Sequence, residues 1–497
     1  MKFIINCSVS VLLCFWVIFS VAAQDSTYRA AVVAFTPNLI ASKPLDRLYN
    51  NVASYLSFID QAGKQNSDII VFPEDGLTGW FDVITYPSIV EVVSTPIPDP
   101  HLNILPCTDT NKKYSKAFID FSCSALKNKI YVVVNLVEQL YDNNQNTYVY
   151  FNTDVVFNKN GRVVAKYRKI NLLNENLFLR GNKTSFFTTD FGVTFALFTC
   201  FDIVFNDPAL KVLTNLGVTD ILYPVAWFSH LPFLQGMSIH HGYAVSNKLN
   251  LLAAGLHDPE LRNGGTAIYL ADGKIAKNYI NGEKGSHLLI TDIPKISSRN
   301  TDKSCQETEP TNEEILNIAS FKTSSEDMTN YTHKLIDLTK RKISENICSG
   351  ENYCCTFDID LEAKSNTNYV YQLVAYHGTV QLSETDRLGT RNCGIVACKN
   401  NQFSSCGRRH DFPPSGVTFK KIVVKGVFKS ENSHDQPSTL RYDLKPLTNY
   451  TFCKIPKGNG NIEITLSTTA KQNLLLTFGI YGRVFSNDGK YIGAIEA

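Results

Sequence analysis

Three side chains in this sequence have types that work together in covalent catalysis, and each stands where a strand is expected to stop. Glu74 closes Val71-Phe72-Pro73-Glu74-Asp75-Gly76, Lys169 closes Val164-Ala165-Lys166-Tyr167-Arg168-Lys169, and Cys200 follows Phe195-Ala196-Leu197-Phe198-Thr199. The carboxyl ends of strands are where α/β folds gather reacting groups. A thiol has a pKa of about 8.5, so it needs a base or a positive field to attack near neutral pH. One thiol, one carboxylate and one ammonium supply those parts. Each is unremarkable alone: such a Glu or Lys is ordinarily solvated, and a lone Cys is ordinarily a small core residue. Their value is joint.

The elements that must position them alternate along the first part of the chain. Ala30 to Phe35 reads as an apolar strand, and Leu45, Leu48, Val52, Leu56 and Ile59 recur on one helical face. Ile69 to Phe72 and Ile130 to Val137 are further strands. Val149 to Phe157 and Val163 to Tyr167 flank Asn158-Lys159-Asn160-Gly161, a hairpin signal. Val193 to Thr199 leads into Cys200, Asp207 and Pro208 read as the start of a helix ending before Gly217, and Ile221 to Tyr223 is a strand. A helix is expected from about Leu231 to Asn247. This is an α/β domain with a largely buried sheet. Past Ile293 the composition changes: Ser297 to Ser304 reads as a linker, Glu326 to Ser344 as a helix, and 356–361 and 369–374 as short strands.

The whole-chain numbers bound the partners. The 497 residues exceed one small core and suggest two domains. With 48 basic and 46 acidic residues the formal net charge is +2, which gives no electrostatic reason for nucleic acid or an anionic membrane as partner. Lys2, the apolar run from Phe3 to Ala22 and the small residues before Gln24 read as a secretory leader cleaved after Ala23. No later run reaches the roughly 18 apolar residues of a membrane span, and the last residues lack a lipid-anchor tail. A secreted, extracellular mature chain is the expectation. Cys7 and Cys14 fall in the leader, and an odd eleven of the 13 cysteines remain. Cys107 and Cys123 form a local pair and eight more lie from Cys305 onward, which leaves Cys200 as the unpaired thiol. Sequons at Asn182, Asn330 and Asn449 are candidate glycosylation sites. His240 and His241, adjacent on an expected helix, point to different faces and suit a metal poorly. No metal and no organic cofactor is implied.

The chain resembles the nitrilase (carbon–nitrogen hydrolase) superfamily, and within it the vanin/biotinidase branch. The resemblance is carried by Phe72-Pro73-Glu74-Asp75-Gly76, Pro98-Asp99-Pro100, Asn152-Thr153-Asp154, Thr199-Cys200-Phe201-Asp202, His230-Leu231-Pro232 and, later, Cys354-Cys355 and Tyr371-Gln372-Leu373. It implies a four-layer αββα sandwich over residues 24–296, after a signal peptide at 1–23, with a β-rich, disulfide-stapled C-terminal domain over 305–497. It implies Glu74 as base, Lys169 as electrostatic stabiliser and Cys200 as nucleophile, with Glu175 orienting the lysine and the Phe201 N–H joining it at the oxyanion. The substrate implied is a small linear amide, pantetheine first and biocytin second. An inactive extracellular binding protein and an acyl transferase are the rival readings, and the intact Glu74, Lys169 and Cys200 weigh against the former.

Overall fold

Continuous apolar runs build two six-stranded sheets in the first part of the chain. The structure is a computed structural model and describes residues 26–490 apart from 111–112, 300–303, 310–316, 352, 364–365 and 384–385. The expected leader, the last seven residues and part of the expected linker lie outside the described residues. The first sheet holds β1 (Thr27–Ala34), β2 (Ile69–Val71), β3 (Tyr131–Asp142), β4 (Thr147–Phe157) and β5 (Val163–Arg168), joined on its outer edge by β13 (His287–Pro294). Its order is β13-β1-β2-β3-β4-β5, parallel through β1, β2 and β3 and antiparallel elsewhere. The second holds β6 (Ser185–Thr188), β7 (Thr194–Leu197), β8 (Asp220–Val225), β10 (Asn250–Gly255), β11 (Thr266–Tyr269) and β12 (Ile275–Tyr279), in the order β12-β11-β10-β8-β7-β6.

The period-2 alternation of these strands sorts their side chains into layers. Ala30, Val32, Ile69, Val71 and Val133 point from the first sheet into a core shared with Phe195, Leu197, Leu222 and Leu252 of the second. Their neighbours Ala31, Val33, Ile70 and Val132 point the other way, onto α1 (Pro44–Lys64) and α4 (Lys116–Asn128), between which the chain forms the short α2 (Trp80–Thr85) and α3 (Pro87–Val93). Helix α1 presents Leu48, Val52, Tyr55 and Ile59 to that face. On the far side α5 (Gly236–Asn247) covers the second sheet, which completes a four-layer αββα sandwich. The outer face of α5 is buried too, because the C-terminal part sits on it: Gln436 Nε2 donates to the Ile239 carbonyl (3.0 Å) and Ser438 Oγ meets Ser238 Oγ (3.1 Å).

The C-terminal part is β-rich. One sheet orders β14 (Cys305–Glu307), β23 (Tyr450–Gly458), β24 (Asn461–Thr468), β21 (Val417–Lys429), β18 (Tyr353–Ala363) and β17 (Lys342–Ser349). The other orders β16 (Thr332–Leu335), β19 (Val370–Gln381), β20 (Arg387–Cys398), β25 (Leu475–Val484) and β22 (Ser433–Arg441). Cys355–Cys393 ties the two sheets together, and Cys305–Cys453, Cys348–Cys354 and Cys398–Cys406 join neighbouring segments. Cys107 and Cys123 are bonded in the first part.

Two expectations about helices are corrected and a third is met in part. Residues 326–344 are extended, contributing β16 and the start of β17. Asp327 and Asp337 each accept from the N–H and hydroxyl of the Thr two residues on, at 2.6–3.0 Å, and those local turns compete with a helix. The helix expected from Leu231 begins at Gly236, capped by Gln235. Before it, His230–Leu231 (β9) pairs with Ser324–Ser325 (β15), Pro232 has no N–H to give, and Glu326 takes the N–H groups of Phe233 and Leu234. Asp207 is extended (φ −108°, ψ 116°), as a residue capping a helix start is, and the helical stretch after it ends before Gly217 as expected but is short and irregular, wide-turned to Leu210 and tight over Lys211–Thr214. The expected linker is also anchored in part, since Arg299 is buried and donates from Nε to the Val218 carbonyl (3.0 Å).

Candidate active site

The carboxyl ends of β2, β5 and β7 open onto one cavity, and they bring Glu74, Lys169 and Cys200 to its lining. Glu175 arrives on the loop after β5. Lys169 Nζ donates to Glu74 Oε1 (2.7 Å) and also bonds Glu175 Oε1. Asn152, on β4, donates from Nδ2 to both carboxylates, at 2.9 Å to Glu74 and 3.0 Å to Glu175. The second Glu74 oxygen accepts from the Ala226 N–H (3.1 Å). Glu74 is 1% exposed, Lys169 2%, Glu175 3% and Cys200 7%, so these charges are satisfied by one another and by amides, with little help from water.

A buried polar chain connects the Glu74 side to the Cys200 side. Asn135 Nδ2 donates to Asn152 Oδ1 (2.7 Å) and Asp154 Oδ1 (2.8 Å), and its own oxygen takes the Asp75 N–H (3.1 Å). Asp154 Oδ2 accepts from Thr199 Oγ1 (2.6 Å), next to Cys200. Asp202 accepts from the Thr199 N–H, the Tyr167 hydroxyl and both N–H groups of Asn171. Cys200 itself has φ 45°, the left-handed region that a residue with a Cβ rarely adopts. Tyr223 holds it there, donating its hydroxyl to the Cys200 carbonyl (2.7 Å). Strain of this kind persists only where surrounding bonds over-determine it.

Burial sets the protonation states. It pushes the Cys200 thiol up, Glu74 adds to the rise, and Lys169 and the Ala226 N–H only partly offset it, so the resting group is a thiol. Burial also works against the Lys169 ammonium, but Glu175 and Glu74 outweigh it and hold the lysine well above its ordinary value. Asp154 is pushed up to about 7 and Asp202 to about 6, by burial in each case. The cavity is about 280 Å³. Its walls are mostly apolar, including Trp80, Phe201, Trp227 and Phe228, with His230 and Arg262 among the few polar groups away from Glu74, Lys169 and Cys200.

Of the other site residues singled out from the sequence, one is at the cavity and the rest are not. Phe201 lines the cavity one residue past Cys200. His240 and His241 point apart, His240 toward Tyr223 and His241 toward the Gly273 carbonyl (2.9 Å), and both are buried. Asn182 and Asn330 are exposed and Asn449 is half-buried. Sequence reasoning gave no role to Asn152, Asp154, Tyr223 or Arg262. Asn152 and Asp154 left a faint signal: two polar residues, two apart and so on one face, just before an apolar strand end.

The chain belongs to the carbon–nitrogen hydrolase family, whose model matches residues 29–301, and it is an enzyme that hydrolyses amides. A vanin C-terminal domain model matches residues 321–488. The chain is 31% identical to Vanin-like protein 1 of Drosophila melanogaster over 94% of this chain and 87% of that protein. It is 30% identical to Vanin-like protein 2 of the same fly, over 93% and 92% respectively. It is 29% identical to a pantetheinase of Mus musculus, over 93% and 89%.

Proposed function

We propose that the chain cleaves pantetheine to pantothenate and cysteamine through a thioester on Cys200. The observation that carries the reading is the sealed cluster of Glu74, Lys169 and Cys200 at a mostly apolar cavity, in a chain similar along most of its length to a pantetheinase. Cys200 Sγ attacks the amide carbonyl as Glu74 takes the thiol proton. Lys169 Nζ and the Phe201 N–H meet the developing oxyanion, and Glu175 holds the lysine charged and in place. Collapse breaks the carbon–nitrogen bond, and the amine leaves with the proton from Glu74. Water then gives a proton to Glu74 and attacks the thioester, and the departing sulfur recovers that proton.

The apolar leader supports export, and the exposed Asn182 and Asn330 are the sequons best placed to carry glycans. The test is a panel of pantetheine, biocytin and simple aliphatic amides on purified protein. Turnover of pantetheine at least ten times faster than biocytin is the expected result (a difference of about 1.4 kcal/mol in barrier). A preference for biocytin would replace the substrate while keeping the chemistry.

A further inference from the structure

Among the described residues the cavity contains one cation that the proposed chemistry does not use. Arg262 lines it, and its guanidinium makes no hydrogen bond or ion pair with any described residue. The nearest acid along the chain that is partly buried is already committed: Asp258 accepts from the Glu260 and Leu261 N–H groups and from Lys284 Nζ (2.9 Å). The backbone of Arg262, in contrast, is tightly held. Its φ is 69°, in the left-handed region. Its N–H donates to the Pro259 carbonyl (3.3 Å), its carbonyl accepts from Ser229 (3.1 Å), and Asp258 and Asn263 close the turn with a pair of backbone bonds (3.1 and 3.0 Å). A fixed, strained backbone that presents five unpaired donors to a substrate cavity is the arrangement of a binding group.

The neighbours sharpen what it binds. Burial, and then the Arg262 charge, hold His230 below its ordinary value, so this second polar group on the lining is neutral. Trp80 and Phe228 meet edge to face at 4.9 Å on the same lining and offer only apolar surface. The amine released by the reaction takes up a proton and becomes a cation, which Arg262 repels. The arm of the substrate that lies along Arg262 is therefore the acyl arm.

We infer that Arg262 is a specificity-determining residue that pairs with oxygen acceptors on the acyl arm of the amide, whether hydroxyl, carbonyl or carboxylate. The inference rests on the amide-hydrolase reading of this cavity and adds a chemical requirement to it. An aliphatic acyl arm leaves the guanidinium unpaired, and an oxygen-bearing one satisfies it.

The test uses two 7-amido-4-methylcoumarin substrates with the same leaving group, one acylated by pantothenate and one by hexanoate. Arg262→Leu should lower kcat/KM for the pantothenoyl amide about 10- to 100-fold, the usual worth of a hydrogen bond to a charged group. The hexanoyl amide should change less than about threefold. Arg262→Lys should recover part of the loss, and thermal melts establish that the variants are folded. An unchanged ratio between the two substrates, or an equal fall on both, overturns the inference. If the wild type cleaves neither amide, the hydrolase reading of these substrates fails on its own, and equilibrium binding decides the rest. Pantothenate should then bind Cys200→Ala about 10- to 100-fold more tightly than Cys200→Ala/Arg262→Leu. Equal affinity, including no binding by either, overturns the role of Arg262.

Discussion

At Cys200 the local field favours the thiol over the thiolate, so in the proposed mechanism the proton leaves as the carbon–sulfur bond forms. Cys200→Ala should abolish turnover and the uptake of iodoacetamide by the native protein while leaving the melting temperature nearly unchanged; full activity in that variant would end the thioester mechanism. Lys169 carries the opposite burden, since it is the cation between two buried carboxylates. Lys169→Ala should cut turnover by about 10²–10³ or more through loss of the oxyanion donor. It should also destabilise the fold by about 3–5 kcal/mol, because breaking a buried pair strands its partners. Lys169→Arg should rescue poorly, as a planar guanidinium does not fit a point-charge site. A solvated surface lysine would show near-normal kinetics and melts in both variants. The sequence made Glu74, Lys169 and Cys200 visible because each ends a strand inside a recognisable motif. It gave Asn152 no role, since a buried amide that bridges two carboxylates takes its meaning only from neighbours 78 and 23 residues away.

Strand β4 and helix α5 show the same division at the level of elements. The alternation and the hairpin signal make β4 readable, and its start at Thr147 and end at Phe157 lie close to the expected bounds. Asn152→Ala on that strand removes donors to both carboxylates, and turnover should fall about tenfold or more with the acid limb of its pH profile displaced; an unchanged profile would make the residue purely structural. Helix α5 was legible as a helix, but not its start, because the contact that ends the preceding extended segment comes from Glu326, some 90 residues on. Residues 326–344 misled for a similar reason: their apolar side chains are spaced for either structure, and two Asp turns decide between them. Burial lowers His240 to about 3 and His241 to about 4, so the folded helix refuses protons that the unfolded chain accepts below about 6.5. Each therefore stabilises the fold at neutral pH, and that contribution is lost as pH falls from about 6.5 toward those values. The drop in melting temperature from pH 7.5 to pH 5 should be smaller in His241→Gln than in wild type; an equal drop would show that this histidine does not govern acid sensitivity.

At the scale of the whole molecule, the two parts depend on a close approach that no motif announces. A Cβ placed on Gly242 of α5 would stand 2.2 Å from the Pro437 backbone oxygen, and neither backbone can yield without moving a layer. Gly242→Ala should cost about 1–3 kcal/mol, the usual penalty of overpacking, and lower the melting temperature although alanine favours helix; a higher melting temperature would show that the two parts touch loosely. The described residues also hold ten cysteines in five disulfides and one thiol, Cys200, at the cavity. Disulfides are attacked by thiolates, not thiols. The burial that raises the Cys200 thiol therefore works as a safety catch: a sulfur that stays protonated until, in the proposed mechanism, Glu74 takes its proton is a poor partner for disulfide exchange, and the chain can carry it together with five disulfides without scrambling them.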